Sequence, residues 1–120
     1  MQTSNFRKSG KDPRAVAISR GVPSWYRGKR LIELAPSREL MKEKDDIEYS
    51  ARYQGEVLAR LDALQVAQQL DPDAILLCWE PPGEPCHRRL VAAWFKRELD
   101  IDVPELGKKP AQGTQPSMGI

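Results

Sequence analysis

Two short, uninterrupted apolar runs constrain the fold of this chain more than any other feature. Residues 15–18 are Ala-Val-Ala-Ile, residues 74–79 are Ala-Ile-Leu-Leu-Cys-Trp, and Gly or Pro residues follow each run closely. Apolar runs of this length without polar alternation are typical of strands that are buried on both faces, as in a parallel sheet. We therefore predict two buried strands, each covered on both sides.

Helical patterns occupy much of the remaining sequence. Asp45 and Asp46 suit a helix start, and a four-residue apolar repeat predicts one helix from there through residue 61. The repeat consists of Tyr49, Tyr53, Val57 and Leu61. Further helices are predicted over residues 63–70 and 86–99, and Ser37 is predicted to cap a helix of about two turns.

Two segments are less regular. Gly55 lies inside the long predicted helix at a cost of about 1 kcal/mol relative to Ala, so either a neighbour packs close to it or the helix is locally weak. Residues 24–36 show no clean period of either kind, which predicts a long ordered loop.

Strands separated by helices predict a single compact three-layer α/β domain, with a mainly parallel sheet and helices on both faces. A chain of 120 residues has room for one core. We predict an N-terminal arm over residues 1–12, with a short edge strand around residues 4–6, and the α/β domain over residues 13–106. Residues 107–120, rich in Gly, Pro, Gln and Ser, are predicted to form a flexible tail.

The charge balance limits the classes of partner. The chain has 19 Lys and Arg against 17 Asp and Glu, a net charge of +2, which is far from the strongly basic balance of a dedicated nucleic-acid binder. No apolar run approaches the roughly 20 residues that span a bilayer, so we expect a cytoplasmic protein with no membrane partner. In such a reducing compartment, two cysteines are more often free thiols, metal ligands or catalytic groups than a disulfide.

Polar residues that could bind a ligand or take part in a reaction cluster at the predicted strand ends. In open parallel sheets ligands bind at the carboxyl ends of the strands, which places Ser19 and Arg20 beside Cys78 and Glu80.

The start of the last predicted helix adds a second group of polar residues. Cys86 and His87 lie there beside Arg88, where free N–H groups and positive charge favour a bound anion or a thiolate. Helical spacing from Leu90 predicts that the imidazole of His87 points toward the sheet, toward Cys78 and Glu80.

Cys78-Trp79-Glu80 followed by Cys86-His87-Arg88 resembles the signature of the bacterial family catalogued as domain of unknown function 488. Residues 3–6, 17–23 and 34–36 support the resemblance, which spans residues 3–106. It implies a compact α/β domain with its shared polar residues gathered at one site, and it implies no reaction. Those residues are Cys78, Glu80, Cys86, His87 and Arg88.

The leading hypothesis is an enzyme or small-ligand binder that acts on an anionic metabolite or nucleotide. Its catalytic residues are predicted to be Cys78, Glu80, Cys86 and His87. Its substrate-binding residues are predicted to be Arg88, Ser19 and Arg20. Whether the chain catalyses a reaction at all stays open, because both cysteines could instead be small buried core residues.

Two further alternatives remain. Thiolate and imidazole suit zinc, so Cys78, Glu80, Cys86 and His87 are also a candidate zinc site, the one cofactor that the sequence suggests. The other alternative is a nucleic-acid-associated module, in which aromatic faces stack on bases and cations meet phosphates. Its candidate residues are Trp25, Arg27, Lys29 and Arg30.

Overall fold

The computed structural model describes residues 1–79 and 87–107 and contains one parallel four-stranded sheet. Its strands are β1 (Gln2–Asn5), β2 (Ala15–Ala17), β3 (Lys29–Arg30) and β4 (Ile75–Cys78). Their order across the sheet is β1-β4-β2-β3, so that β4 pairs with both β1 and β2. The prediction of an α/β domain with a mainly parallel sheet is confirmed.

Five α-helices and two short 3-10 helices surround the sheet in the described residues. The α-helices are α1 (Phe6–Ser9), α2 (Arg38–Met41), α3 (Asp46–Glu56), α4 (Ala63–Gln68) and α5 (His87–Leu99), and the 3-10 helices span Ile32–Leu34 and Leu58–Arg60. The predicted caps are confirmed, because Ser37 accepts from the backbone N–H of Leu40 and Asp45 accepts from that of Glu48. None of these helices has both the length and the apolar character needed to cross a membrane.

The sheet separates two apolar clusters. Successive side chains of a strand point to opposite faces, so Leu76 of β4 joins one cluster while Ile75 and Leu77 join the other. The first cluster also contains buried residues of α3, α4 and α5, whereas the second contains Phe6 of α1 and Tyr26. One face of the sheet is therefore covered by α3, α4 and α5, and the other by the single-turn helix α1 together with the segment around Tyr26.

The prediction of one helix through residue 61 is wrong, because the helix in the structure is shorter. α3 ends at Glu56, Val57 caps it, and the 3-10 helix that follows turns Leu58 into the core, where it is 2% exposed. Continuing the helix would rotate Leu58 away from the face that Tyr53 occupies, so the tighter turn buries an apolar side chain that a straight helix would expose. The loop predicted over residues 24–36 likewise contains β3 and a 3-10 helix.

The edge of β1 is covered by a late segment of the chain. The backbone N–H of Thr3 donates to the carbonyl of Pro104 at 2.9 Å, and the N–H of Leu106 donates to the carbonyl of Thr3 at 2.7 Å. The first strand thus lies at Gln2–Asn5, slightly earlier than predicted, and has partners on both sides. The predicted tail lies outside the described residues except for Gly107.

Gly55→Ala should raise the free energy of unfolding by about 0.5–1 kcal/mol, because Ala loses less backbone entropy than Gly on entering a helix. An added Cβ at this position meets nothing within 4 Å, which excludes the close neighbour considered above. Denaturant titration measures the change. Gly10→Ala is a matched contrast that should destabilise, since a Cβ there collides with the ring of Trp25. A loss of stability in Gly55→Ala would contradict this account.

Candidate functional site at the strand ends

The carboxyl ends of β2 and β4 meet at one edge of the sheet, and a cavity of about 170 Å³ lies there. Ser19 and Arg20 reach it from the chain after β2, Cys78 reaches it from the end of β4, and His87 reaches it from the first turn of α5. Four of the predicted site residues therefore line one cavity. Glu80 and Cys86, also predicted here, lie outside the described residues.

Cys78 is fully buried and disulfide-bonded. The prediction from the sequence favoured free thiols over a disulfide, and it is wrong for this residue. The sulfur also accepts a hydrogen bond from Nη1 of Arg88 at 3.0 Å. A guanidinium in direct contact with Sγ is the kind of neighbour that favours a thiolate once the disulfide is reduced.

Arg88 is buried in the interior, where it is 2% exposed, and it is not one of the described residues that line the cavity. Its Nε and Nη2 atoms donate to the two carboxylate oxygens of Glu105 at 3.1 and 2.9 Å, which is a two-point ion pair. Burial would raise the pKa of Glu105, but hydrogen bonds from Arg88 and Thr3 and the neighbouring positive charges hold it below the usual 4.5. The guanidinium is thereby fixed with Nη1 against the sulfur.

Glu105 is the part of this arrangement that sequence reasoning missed. It follows Pro104 in a stretch with no helical or strand period, and nothing in its local pattern links it to Arg88. Its position is set by the backbone pairing of this stretch with β1, together with the hydrogen bond that Thr3 donates to its carboxylate at 2.6 Å. Only the tertiary structure shows this partnership.

His87 is held by the backbone of Ile18, the residue between the end of β2 and Ser19. Its Nε2 lies 2.7 Å from the carbonyl oxygen of Ile18, its ring contacts that of Tyr53, and it is 3% exposed. Burial lowers its pKa to about 4; the hydrogen bond to Ile18 opposes part of this effect, and the charge of Arg88 makes a smaller further lowering. The imidazole is therefore neutral near pH 7, where it can accept a hydrogen bond but supplies no proton.

Ser19 and Arg20 differ in what they offer the cavity. The Ser19 hydroxyl donates to the carbonyl of Gly21 at 2.5 Å and is buried. Arg20 is exposed, and its Nε donates to the carbonyl of Pro36 at 3.0 Å. Within the described part of the chain its two terminal nitrogens have no hydrogen-bond partner, so they are available to a ligand.

A zinc site is not formed by the described residues alone, since no three of their His, Cys, Asp and Glu side chains lie together as a metal would require. Two of the four candidate ligands, Glu80 and Cys86, lie outside residues 1–79 and 87–107. The zinc site therefore stays a prediction.

The candidate nucleic-acid residues lie around β3, the strand next to β2, and Arg30 reaches the backbone of the cavity residue Arg20. Arg27 and Arg30 each donate to backbone carbonyls, at 2.9 Å, and Lys29 lies 3.9 Å from a carboxylate oxygen of Asp71. The ring of Trp25 is 42% exposed. These contacts hold the segment in shape, and nucleic-acid binding there stays a prediction.

Comparison with known proteins adds a separate finding. The profile of DUF488-N3a, described as the active DUF488-N3 subclade, matches residues 7–99. The match covers well over half of the chain and includes the four described residues of the strand-end cavity discussed above, while Glu105 lies beyond it. No curated protein and no solved structure matches the chain.

Proposed function

We propose that this chain, which belongs to the DUF488 family as the resemblance of its sequence predicted, is a thiol enzyme. Cys78, in its reduced form, is the reactive group, and a small anionic metabolite occupies the strand-end cavity. The matching profile is described as an active subclade, and that word names no reaction. The contact between Arg88 and the Cys78 sulfur is the observation that carries the proposal.

The electrostatic argument sets two effects against each other. Burial in apolar surroundings raises the pKa of a thiol, whereas a hydrogen-bonding cation lowers it. Nη1 of Arg88 lies 3.0 Å from Sγ, and Cys78 lines the cavity although its side chain is fully buried. The proposal requires the hydrogen bond from Nη1 to outweigh burial, and titration of the thiol tests this balance directly.

The dimensions and charges of the cavity limit the ligand. Its volume of about 170 Å³ is smaller than the roughly 300–1,000 Å³ of sites for drug-sized molecules, so it suits a small metabolite or one part of a nucleotide. The terminal nitrogens of Arg20 supply positive charge at the wall. Glu43 also lines the wall, and Arg52 lies 3.8 Å from its carboxylate and offsets its charge.

In a Cys86→Ser variant, which leaves Cys78 as the sole thiol, Cys78 should titrate at least about one unit below the usual thiol pKa of about 8.5. The ultraviolet absorbance of the thiolate follows this titration without requiring a reagent to reach a buried sulfur. The same chain with Cys78→Ser added gives the matched baseline. A Cys78 that titrates at or above the usual value while the protein stays folded would remove the activated thiol and the enzyme with it.

A further inference from the structure

The imidazole of His87 lines the strand-end cavity and carries a buried hydrogen-bond acceptor. A carbonyl oxygen only accepts hydrogen bonds, so the 2.7 Å contact with Ile18 places the proton of the neutral ring on Nε2 and leaves a lone pair on Nδ1. In residues 1–79 and 87–107 no group donates to that Nδ1. Buried polar atoms are nearly always partnered by protein or water, so an acceptor in a cavity wall is a position at which a ligand donor can take the place of water.

The same small cavity also has hydrogen-bond donors in its wall. Arg20 offers N–H groups, which bind anionic oxygens, whereas Nδ1 of His87 offers a lone pair, which repels them. Both side chains line a volume of about 170 Å³, so one small molecule can reach both. A ligand that satisfies the two walls needs negative oxygens at one end and a donor hydrogen at the other.

We propose that the strand-end cavity selects a small oxyanion that carries its own O–H group, with its charge on Arg20 and its hydrogen donated to Nδ1 of His87. This inference rests on the proposed function, because it takes the ligand of that same cavity to be an anion. It goes further by naming the feature that distinguishes accepted anions from rejected ones. Hydrogen phosphate and hydroxycarboxylates share that feature.

Inorganic phosphate and sulfate form a matched pair of probes. Both are tetrahedral oxyanions of similar size, but near neutral pH phosphate keeps at least one O–H whereas sulfate has none. Glycolate and acetate form a second pair that differs by one hydroxyl. The first pair tests whether the O–H group belongs to a phosphate, and the second tests whether it belongs to a hydroxycarboxylate.

Calorimetric titration of the full chain at constant ionic strength should show the O–H-bearing member of at least one pair binding about tenfold or more tightly than its partner. Arg20→Gln should weaken both members of that pair to a similar degree and leave the preference intact. His87→Phe should abolish the preference, because it removes the acceptor. The pair that shows the preference tells whether the O–H group belongs to a phosphate or to a hydroxycarboxylate.

A spectroscopic readout needs no variant at His87. The chain has a single histidine, so ¹⁵N-histidine labelling gives one pair of imidazole resonances. The Nδ1 resonance should shift toward that of a hydrogen-bonded nitrogen with phosphate or glycolate, and should stay in place with sulfate or acetate. This measurement decides the matter even if His87→Phe does not fold.

The outcomes separate the two levels of proposal. Equal binding of both members of each pair, with no selective movement of the Nδ1 resonance, would overturn selection by His87 and leave an anion site standing. Failure of all four anions to bind would overturn both the selection and the anionic ligand of the proposed function. The titration of Cys78 tests the thiol independently of either result.

Discussion

Arg88→Met should lower the free energy of unfolding by about 3–5 kcal/mol, because it leaves the carboxylate of Glu105 buried without its partner. The side chains of Arg88 and Glu105 are only 2% and 9% exposed, so water can do little to stabilise the abandoned charge. Met keeps a long, unbranched apolar stem, so the loss is mainly electrostatic rather than a packing defect. Denaturant unfolding, with the cysteines held in one oxidation state throughout, measures the effect.

Two further variants make this result diagnostic. Arg88→Met combined with Glu105→Gln removes both charges and should recover part of the lost stability, since an uncharged pair carries a smaller burial cost than a lone ion. Arg97→Met, on the exposed side of the same helix and 3.7 Å from Glu98, should change stability by less than about 0.5 kcal/mol. If Arg88→Met behaves like Arg97→Met, the ion pair does not hold the site together.

Acidification from about pH 7 to about pH 4 should remove about 3 kcal/mol of stability through His87, at about 1.4 kcal/mol for each unit of pKa shift. Burial lowers the pKa of His87 to about 4 in the folded protein from its usual 6.5. The unfolded chain therefore binds a proton at a higher pH than the folded chain does. The stabilisation is fully present above pH 6.5 and is lost as the pH falls toward 4.

The single histidine makes this pH dependence assignable. Unfolding free energies measured across the range should fall steeply in the wild type and much less in His87→Phe between about pH 6.5 and about pH 5. Glu105 adds a further loss only at lower pH, because its pKa lies below the usual 4.5. Parallel curves for the two proteins in the upper window would show that His87 is not held neutral by burial.

The parts of the fold that the sequence predicted are those with local causes. The apolar runs around Val16 and Leu76 became neighbouring parallel strands, because a short run without polar alternation is stable only when both of its faces are covered. The caps at Ser37 and Asp45 formed because a side-chain oxygen close in sequence satisfies a free N–H. The division of the long helix at Val57 depended instead on how Leu58 packs, which periodicity does not reveal.

The candidate site shows the same division. Ser19 and Arg20 were predicted to lie beside Cys78 because the carboxyl ends of parallel strands share an edge, and all three line the cavity. Helical spacing turned His87 inward but could not show that its partner is a backbone carbonyl on β2's side of the sheet. The charge partner of Arg88 lies 17 residues further along, in an irregular segment, so only tertiary contacts identify it.

The central position of β4 has a consequence for how the chain folds during synthesis. β1 and β2 emerge from the ribosome early, yet β1 finds its strand partner only after Ile75–Cys78 has been made. Such non-local pairing slows folding, because the entropy of closing a long loop is lost before the stabilising contacts form. We expect the sheet to assemble late and in one step. The arrival of Glu105 then covers the edge of β1 and neutralises Arg88 in the same event.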